Sequence, residues 1–358
     1  LNHPWIELGK NLGKHVISEM DFGAAFCENR IVAVTGTNGK TTLSTLLSHV
    51  WKKNGCESIV AGNVGKPLTQ AISESVSPES TIFLETSSFQ AQSLKILKPD
   101  SVIWNNFEPD HLDHHDSITE YFLAKANLLQ QLKPNELAWL GSSVVEFGQR
   151  INHEFLCRFE KIEELPLTAN QLSQIPFLNT FPQRKNLALA KRFSEKNGID
   201  ESNFFSAIRS YKPQPGRLKK IAEVAGISFW NDSKATNSSA VLNACRNFTD
   251  KILWIGGGRE KGAVEEVWIR EIKKYVKQAF LIGEVAPKIH RLLSKERVQS
   301  TVCRTLSEAT KLAFEKAVDS IDVVFSPGFS SFDMFDNYLD RGNSFDKVVF
   351  DLKRQSSQ

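Results

Sequence analysis

The chain has 358 residues, 41% hydrophobic and 24% charged, more than a single core of ~100–200 residues holds, and so implies a multi-domain globular protein. Its 44 Lys+Arg against 41 Asp+Glu leave a net charge of +3, which excludes the clustered positive excess of a dedicated nucleic-acid binder. No apolar stretch approaches the ~20 residues of a membrane-spanning helix, and five scattered cysteines without a C-x-x-C pair argue against a disulfide framework or zinc finger and for a reducing cytoplasm.

The chain begins at Leu1, and residues 1–29 carry little periodic pattern, as expected of a truncated start. From Ile31 short apolar runs, Ile31–Val34, Ser58–Ala61, Thr81–Glu85 and Ser101–Trp104, read as buried strands, separated by helical segments such as Thr41–Lys53. This is the rhythm of a parallel α/β sheet. Residues 147–181 break it and read as irregular strands and loops. An amphipathic segment near Asn186–Lys196 precedes Lys212-Pro213-Gln214-Pro215-Gly216, whose crowded prolines exclude helix interior and mark a linker. Beyond it, strands are expected at Ile227–Asn231, Ile252–Ile255, Ala279–Ile282 and Val323–Ser326, with helices near Ser239–Asn247, Val264–Lys277 and Ser307–Val318.

The chemistry concentrates where strands end. Val32-Ala33-Val34-Thr35 runs into Gly36-Thr37-Asn38-Gly39-Lys40-Thr41-Thr42. The glycines let backbone N–H groups approach phosphate oxygens, Lys40 supplies a point charge, and the Thr41 hydroxyl at a helix N-terminus is a Mg²⁺ ligand. The loop is two residues shorter than the usual G-x-x-x-x-G-K-[ST]. Phe83-Leu84-Glu85-Thr86-Ser87-Ser88-Phe89 ends a strand in a carboxylate, at the edge where ligands of open α/β sheets bind. Glu108-Pro109-Asp110-His111-Leu112-Asp113-His114-His115 follows another strand. Alone it is as readily solvated surface as a site, and after a phosphate loop a Mg²⁺ role for one His outweighs zinc. Lys125 lies on the helical Tyr121–Leu129 and, taken alone, reads as solvated. In the C-terminal half, Trp230-Asn231-Asp232-Ser233-Lys234-Ala235-Thr236-Asn237, Gly256-Gly257-Gly258-Arg259-Glu260-Lys261 and Ser326-Pro327-Gly328-Phe329-Ser330-Ser331-Phe332 each follow a strand and suggest a ligand edge. Asp232 and Thr236 are equally candidates to cap the next helix, and Tyr338 and Phe345 read as packing aromatics.

In this order the stretches GTNGKTT, ETSSF, EPDHLDHH, FLAKANLL, PGR, NDSKATN and SPGFSSFDMF resemble the Mur ligase family of ATP-dependent amide-forming enzymes, across nearly the whole chain. The resemblance implies an α/β fold: a central P-loop-type ATP-binding domain with a mainly parallel sheet over 30–213, then a C-terminal Rossmann-like, amino-acid-binding domain over 214–358. Residues 1–29 become the remnant and linker of an N-terminal UDP-binding domain. The C-terminal motifs, with Arg341-Gly342-Asn343, imply the reaction that adds D-glutamate to UDP-N-acetylmuramoyl-L-alanine through an acyl phosphate, with ATP and Mg²⁺, by a cytoplasmic monomer serving cell-wall peptidoglycan synthesis.

Carried over residue by residue, the resemblance implies that Gly36, Thr37, Asn38, Gly39, Lys40, Thr41 and Thr42 bind the nucleotide phosphates. It implies metal ligation by Thr41, Glu85, His111 and Lys125, the lysine as a carbamate. Asn63 and Ser87 would contact the muramoyl substrate, Asn186 adenine, Arg217 the γ-phosphate and Asp232 the ribose. Lys234 would approach the acyl phosphate, and Thr236, Lys261, Ser331 and Phe332 would bind D-glutamate. The catalytic set is then Lys40, His111, Lys125, Arg217 and Lys234. Glu108 stands before Pro109-Asp110-His111 where Asn is usual, and Gly216 stands before Arg217 where His is common. The competing expectations are another Mur-type or folylpolyglutamate-type ligase, and an ATP-binding protein without ligase activity.

Overall fold

Ile31-Val32-Ala33-Val34-Thr35 alternates between two cores. Ile31 and Ala33 pack with Leu84, Trp104 and Phe122, while Val32 and Val34 pack with Leu43, Leu46, Leu47 and Val50, the period of two that a strand imposes. A strand covered on both faces is apolar throughout, and this one is buried at every position. The computed structural model describes residues 3–74, 76–112, 114–168, 171, 173–260, 266–317 and 321–356. They form two units, Leu1–Pro109 with His115–Tyr211, and Asp110–His114 with Lys212–Gln358.

The first unit is built on six strands: β1 (Ile31–Thr35), β2 (Ser58–Gly62), β3 (Thr81–Glu85), β4 (Ser101–Trp104), β5 (Leu137–Gly141) and β6 (Arg158–Ile162). They lie in the order β2-β3-β1-β4-β5-β6, and each adjacent pair is parallel. Register sets Glu85 beside Val34 and Trp104 beside Thr35. The carboxyl ends of β3 and β4 therefore flank the loop that leaves β1, where a doubly wound sheet places its ligand.

The second unit has β7 (Lys219–Val224), β8 (Ile227–Asn231), β9 (Ile252–Gly257), β10 (Val276–Ile282), β11 (Gln299–Val302) and β12 (Asp322–Gly328). Their order is β11-β10-β9-β12-β8-β7; only β7 runs antiparallel, as a hairpin with β8. Trp254 and Ile289 lie in the core on one face, and Phe229, Phe325 and Phe345 in that on the other. No described helix is long and apolar enough to cross a membrane.

The α/β class and the parallel central sheet agree with the sequence expectation, and three local readings are corrected. Residues 1–29 hold the helices Pro4–Asn11 and Glu19–Ala24; the second is anchored by buried Asp21, whose carboxylate accepts the backbone N–H groups of Lys95, Ile96 and Leu97. Within 147–181, read as irregular strands and loops, the described residues include the end of the helix Ser142–Arg150, which was not expected, and β6, which joins the sheet. As an edge strand, β6 exposes most of its Arg-Phe-Glu-Lys-Ile sequence, so it lacks the buried-strand signature. The expected helix over Val264–Lys277 ends at Ile272, and Val276 already opens β10; residues 264 and 265 lie outside the described residues.

Candidate active site

The strand-to-helix turn after β1 is shaped by two glycines at positive φ, Gly36 at 150° and Gly39 at 81°. A Cβ on Gly36 would stand 1.7 Å from Asn105 Oδ1, and one on Gly39 2.5 Å from Asn186 Nδ2; only glycine fits. Gly39 then caps the helix Lys40–Lys53, whose first N–H groups face the loop and make an anion site. Asn106 braces the turn, its Oδ1 accepting from the N–H of Thr37 at 3.1 Å and of Asn38 at 2.9 Å. Asn105 donates to Asn38 O at 2.7 Å and to Asn186 Oδ1 at 2.8 Å. Thr37 clamps the next loop reciprocally: its hydroxyl donates to Glu108 O and accepts from Glu108 N. Tyr121 O–H lies 3.2 Å from the same hydroxyl.

Two lysines converge on this turn. Lys40 Nζ donates to Gly36 O at 2.8 Å and to Thr37 O at 2.9 Å, and Lys125 Nζ donates to Gly36 O at 2.8 Å. Lys125 is 1% exposed, with its ammonium 4.9 Å from the Tyr121 ring centroid. The helix Ile118–Gln130 turns the two residues, four apart, to one face. The solvated reading of Lys125 is thereby corrected, since it lies on the apolar, inward stripe of its helix. Glu85, at the end of β3, is 2% exposed. Its Oε1 accepts from Asn63 Nδ2 at 2.9 Å, whereas Oε2 has no hydrogen-bond partner among the described residues, and neither has the buried Thr42 hydroxyl. Burying such groups unsatisfied costs free energy, so both mark this edge as a place for a further electrophile or donor. Thr41 is half-buried in the first turn of the helix.

Other expected residues are placed as follows. Ser87 caps the short helix Ser88–Ala91 in a reciprocal box with Gln90. Asn186 is fully buried; its amide donates to Gly39 O at 3.2 Å and to Gln183 Oε1 at 2.9 Å, which fixes it under the loop. His111 has φ 55°, with Nε2 3.6 Å from Asp110 Oδ2. Among the described residues no group of three or more His, Cys, Asp or Glu side chains is placed to hold a metal ion.

In the second unit, β8 and β12 deliver a second cluster. Asp232 accepts from Leu218 N at 3.1 Å and from Ser326 Oγ at 2.8 Å. Burial pushes its carboxyl up to about 7, against those hydrogen bonds and the nearby Arg217 charge. Arg217 is half-buried, and its Nε has no hydrogen-bond partner among the described residues. The glycine preceding it is explained locally: Gly216 has φ 69°, and a Cβ there would stand 2.5 Å from Ser233 Oγ. Lys234 N donates to Gly216 O at 2.9 Å. Asn237, rather than Asp232 or Thr236, caps the helix Ser238–Cys245, which leaves Thr236 half-buried on the loop before it. The loops after β9 and β12 abut, with Arg259 N donating to Ser330 O at 2.9 Å. Ser331 is buried and Phe332 64% exposed. Lys261 lies outside the described residues. Sequence reasoning overlooked Asn105, Asn106 and Gln183 as braces of the turn; the Asn-Asn pair directly after β4 was the available signal.

Residues 34–156 match the Mur ligase middle domain. The chain is 32% identical to the UDP-N-acetylmuramoylalanine--D-glutamate ligase of Protochlamydia amoebophila (strain UWE25), over 97% of this chain and 81% of that protein. It is likewise 32% identical to the ligase of the same name from Aquifex aeolicus (strain VF5), over 97% of this chain and 85% of that protein. Among solved structures it resembles MurF ligase from Thermotoga maritima in complex with ADP, at a TM-score of 0.67 and 14% identity over 99% of this chain and 84% of that one. E. coli FolC in complex with DHPP and ADP aligns at a TM-score of 0.64 and 15% identity, over 98% and 97% of the two chains.

Proposed function

Because the chain belongs to the Mur ligases, among the UDP-N-acetylmuramoylalanine--D-glutamate ligases, we propose that it joins D-glutamate to UDP-N-acetylmuramoyl-L-alanine at the expense of ATP. The observation that carries the reading is the glycine turn that sets Lys40 against the Gly36 and Thr37 carbonyls at the N-terminus of the helix Lys40–Lys53, beside buried Glu85 and the bracing Asn105 and Asn106. That is a built site for a polyanion at the carboxyl edge of a parallel sheet.

A carboxylate does not react with an amine directly, because oxide is too poor a leaving group. In the proposed sequence the alanyl carboxylate oxygen attacks the γ-phosphorus and ADP departs. The neutral amine of D-glutamate then attacks the acyl carbon, the C–O bond to phosphate breaks, and the amine proton is lost, giving amide, ADP and phosphate. Gly36 to Thr42 hold the phosphates, with Lys40 opposing the charge that builds in the transition state. Residues 30–213 supply this ATP-binding part, with Asn186 at the adenine end, where it also fixes Gly39. Asn63 and Ser87 are assigned to the muramoyl substrate. Residues 214–358 supply Arg217 for the γ-phosphate, Asp232 for the ribose and Lys234 for the acyl phosphate. Thr236, Lys261, Ser331 and Phe332 hold the acceptor, whose two carboxylates call for a cation and neutral donors.

The residues fit a magnesium ion: the open Glu85 Oε2 and the hydroxyls of the Lys-Thr-Thr turn are hard oxygen donors, and Mg²⁺ is commonly held by one or two carboxylates plus substrate phosphates. Thr41 and Glu85, with His111 and Lys125 as a carbamate, would hold it, and its charge would neutralise the phosphoryl oxygens. The reading places the reaction in the cytoplasm, acting as a monomer. The test is phosphate release from ATP and Mg²⁺ with UDP-N-acetylmuramoyl-L-alanine, offering D-glutamate, L-glutamate or meso-diaminopimelate. Release that depends on D-glutamate is the expected result; release driven by another acceptor, or by none, contradicts it.

A further inference from the structure

The loop that carries Lys234 is gripped by the first turn of the C-terminal helix Tyr338–Ser356. The Lys234 ammonium lies over the Tyr338 ring, 3.8 Å from its centroid. Arg341 Nη2 donates to Ser233 O at 3.0 Å. Tyr338 and Arg341 are three positions apart and so share a helix face. Gly342, next in sequence, lets that helix close on the loop, since a Cβ there would stand 2.4 Å from Ser233 Oγ. Asn231, which opens the loop, donates to Gly342 O at 3.1 Å and to Asp346 Oδ1 at 2.6 Å. Two consecutive loop residues are thus held by two residues of one helical turn.

Arg341 adds a buried polar anchor to this grip. It is 1% exposed, burial pulls its guanidinium down to about 10, and Nε and Nη1 have no hydrogen-bond partner among the described residues. An apolar side chain fills such a space at lower cost than a guanidinium, yet the hydrogen bond this one makes goes to the backbone beside Lys234. Lysine has four rotatable bonds and a large rotamer entropy, and the face of an aromatic ring restrains it through the ring quadrupole.

We propose that Tyr338 is a positioning residue for Lys234: its ring face holds the ammonium in the orientation in which Lys234 meets the acyl phosphate. This rests on the role given to Lys234 above. It predicts dependence on the electron density of the ring, which a residue that only fills space does not show.

The experiment replaces Tyr338 with Phe, with phenylalanines carrying increasing numbers of ring fluorines, and with Leu, in the parent and in a Lys234→Met background. D-glutamate-dependent phosphate release gives kcat and KM for each substrate, thermal melting reports folding, and the ring-current shift of the Lys234 ε-methylene protons reports the contact without turnover. We expect Phe to rescue turnover, log kcat to fall steadily with fluorine content, and Leu to lose roughly three- to thirtyfold in kcat with KM for ATP unmoved. The Lys234→Met background should abolish the gradient. A flat fluorine series, a kcat that follows the melting temperature, or a Lys234 signal without a ring-current shift overturns the proposal. A parent chain that turns over no D-glutamate refutes the ligase reading instead, and the ring-current shift then decides separately whether Tyr338 orients Lys234.

Discussion

Lys40 and Lys125 donate to one and the same oxygen, the carbonyl of Gly36, each at 2.8 Å. The turn thus draws both side chains to the N-terminal end of the helix Lys40–Lys53, where unpaired backbone N–H groups make an anion site and Lys40 adds a positive charge. Lys40→Ala should lower kcat by roughly 10²–10³, the usual loss when a donor to developing charge is removed, and should slow acyl-phosphate formation by the same factor. An ADP yield equal to the parent's in a single-turnover assay contradicts that role.

The turn itself depends on the absence of a side chain at Gly36. Its φ of 150° and the 1.7 Å approach of Asn105 Oδ1 to a built Cβ mean that Gly36→Ala must displace Asn105, and with it the bonds to Asn38 and Asn186. Strain of this kind costs about 1–3 kcal/mol. We expect a lower melting temperature together with weakened nucleotide binding. A variant that melts and binds ATP like the parent contradicts the bracing role of Asn105.

Lys125 carries a separate expectation. As a carbamate it exchanges a cation for a metal-binding oxygen pair, so activity should decline when carbon dioxide is stripped from the buffer and return on adding bicarbonate. Activity indifferent to bicarbonate in the parent, with full loss in Lys125→Ala, assigns the function to the ammonium instead.

Asp232 sets a pH dependence. With its carboxyl raised from 3.8 to about 7 by burial, the folded chain binds a proton between those values that the unfolded chain has released. Unfolding free energy therefore falls as pH rises through this window; the contribution is complete below about pH 4 and lost above the folded value. Asp232→Asn keeps an acceptor for Leu218 N and cannot ionise. Relative to the parent it should gain stability between pH 5 and 8, read by thermal melting; parallel pH profiles for the two chains refute the assignment.

How much of this was legible in the sequence divides along physical lines. The buried parallel strands announced themselves through unbroken apolar runs such as Ile31–Val34, and the Gly-Lys-Thr-Thr turn through the chemistry of phosphate. β6 did not, because an edge strand of Arg, Phe, Glu, Lys and Ile needs only one covered face. Lys125 looked solvated because a lysine carries no mark of the face it occupies, and burial emerges only when the helix is set against the turn. The bracing amides of Asn105, Asn106 and Asn186 act across long separations in the chain, which local pattern does not encode. The contacts of Tyr338 with Lys234 and of Arg341 with Ser233 are of the same long-range kind.

Activation of a carboxylate by ATP for attack by D-glutamate is the central step of the proposed reaction. The most direct test supplies UDP-N-acetylmuramoyl-L-alanine labelled with ¹⁸O in its alanyl carboxylate, together with ATP, Mg²⁺ and D-glutamate, and weighs the products by mass spectrometry. The expected result is a product enlarged by one glutamyl residue and phosphate that carries one ¹⁸O from the carboxylate. Unlabelled phosphate, or no glutamyl product while ATP is consumed, contradicts it.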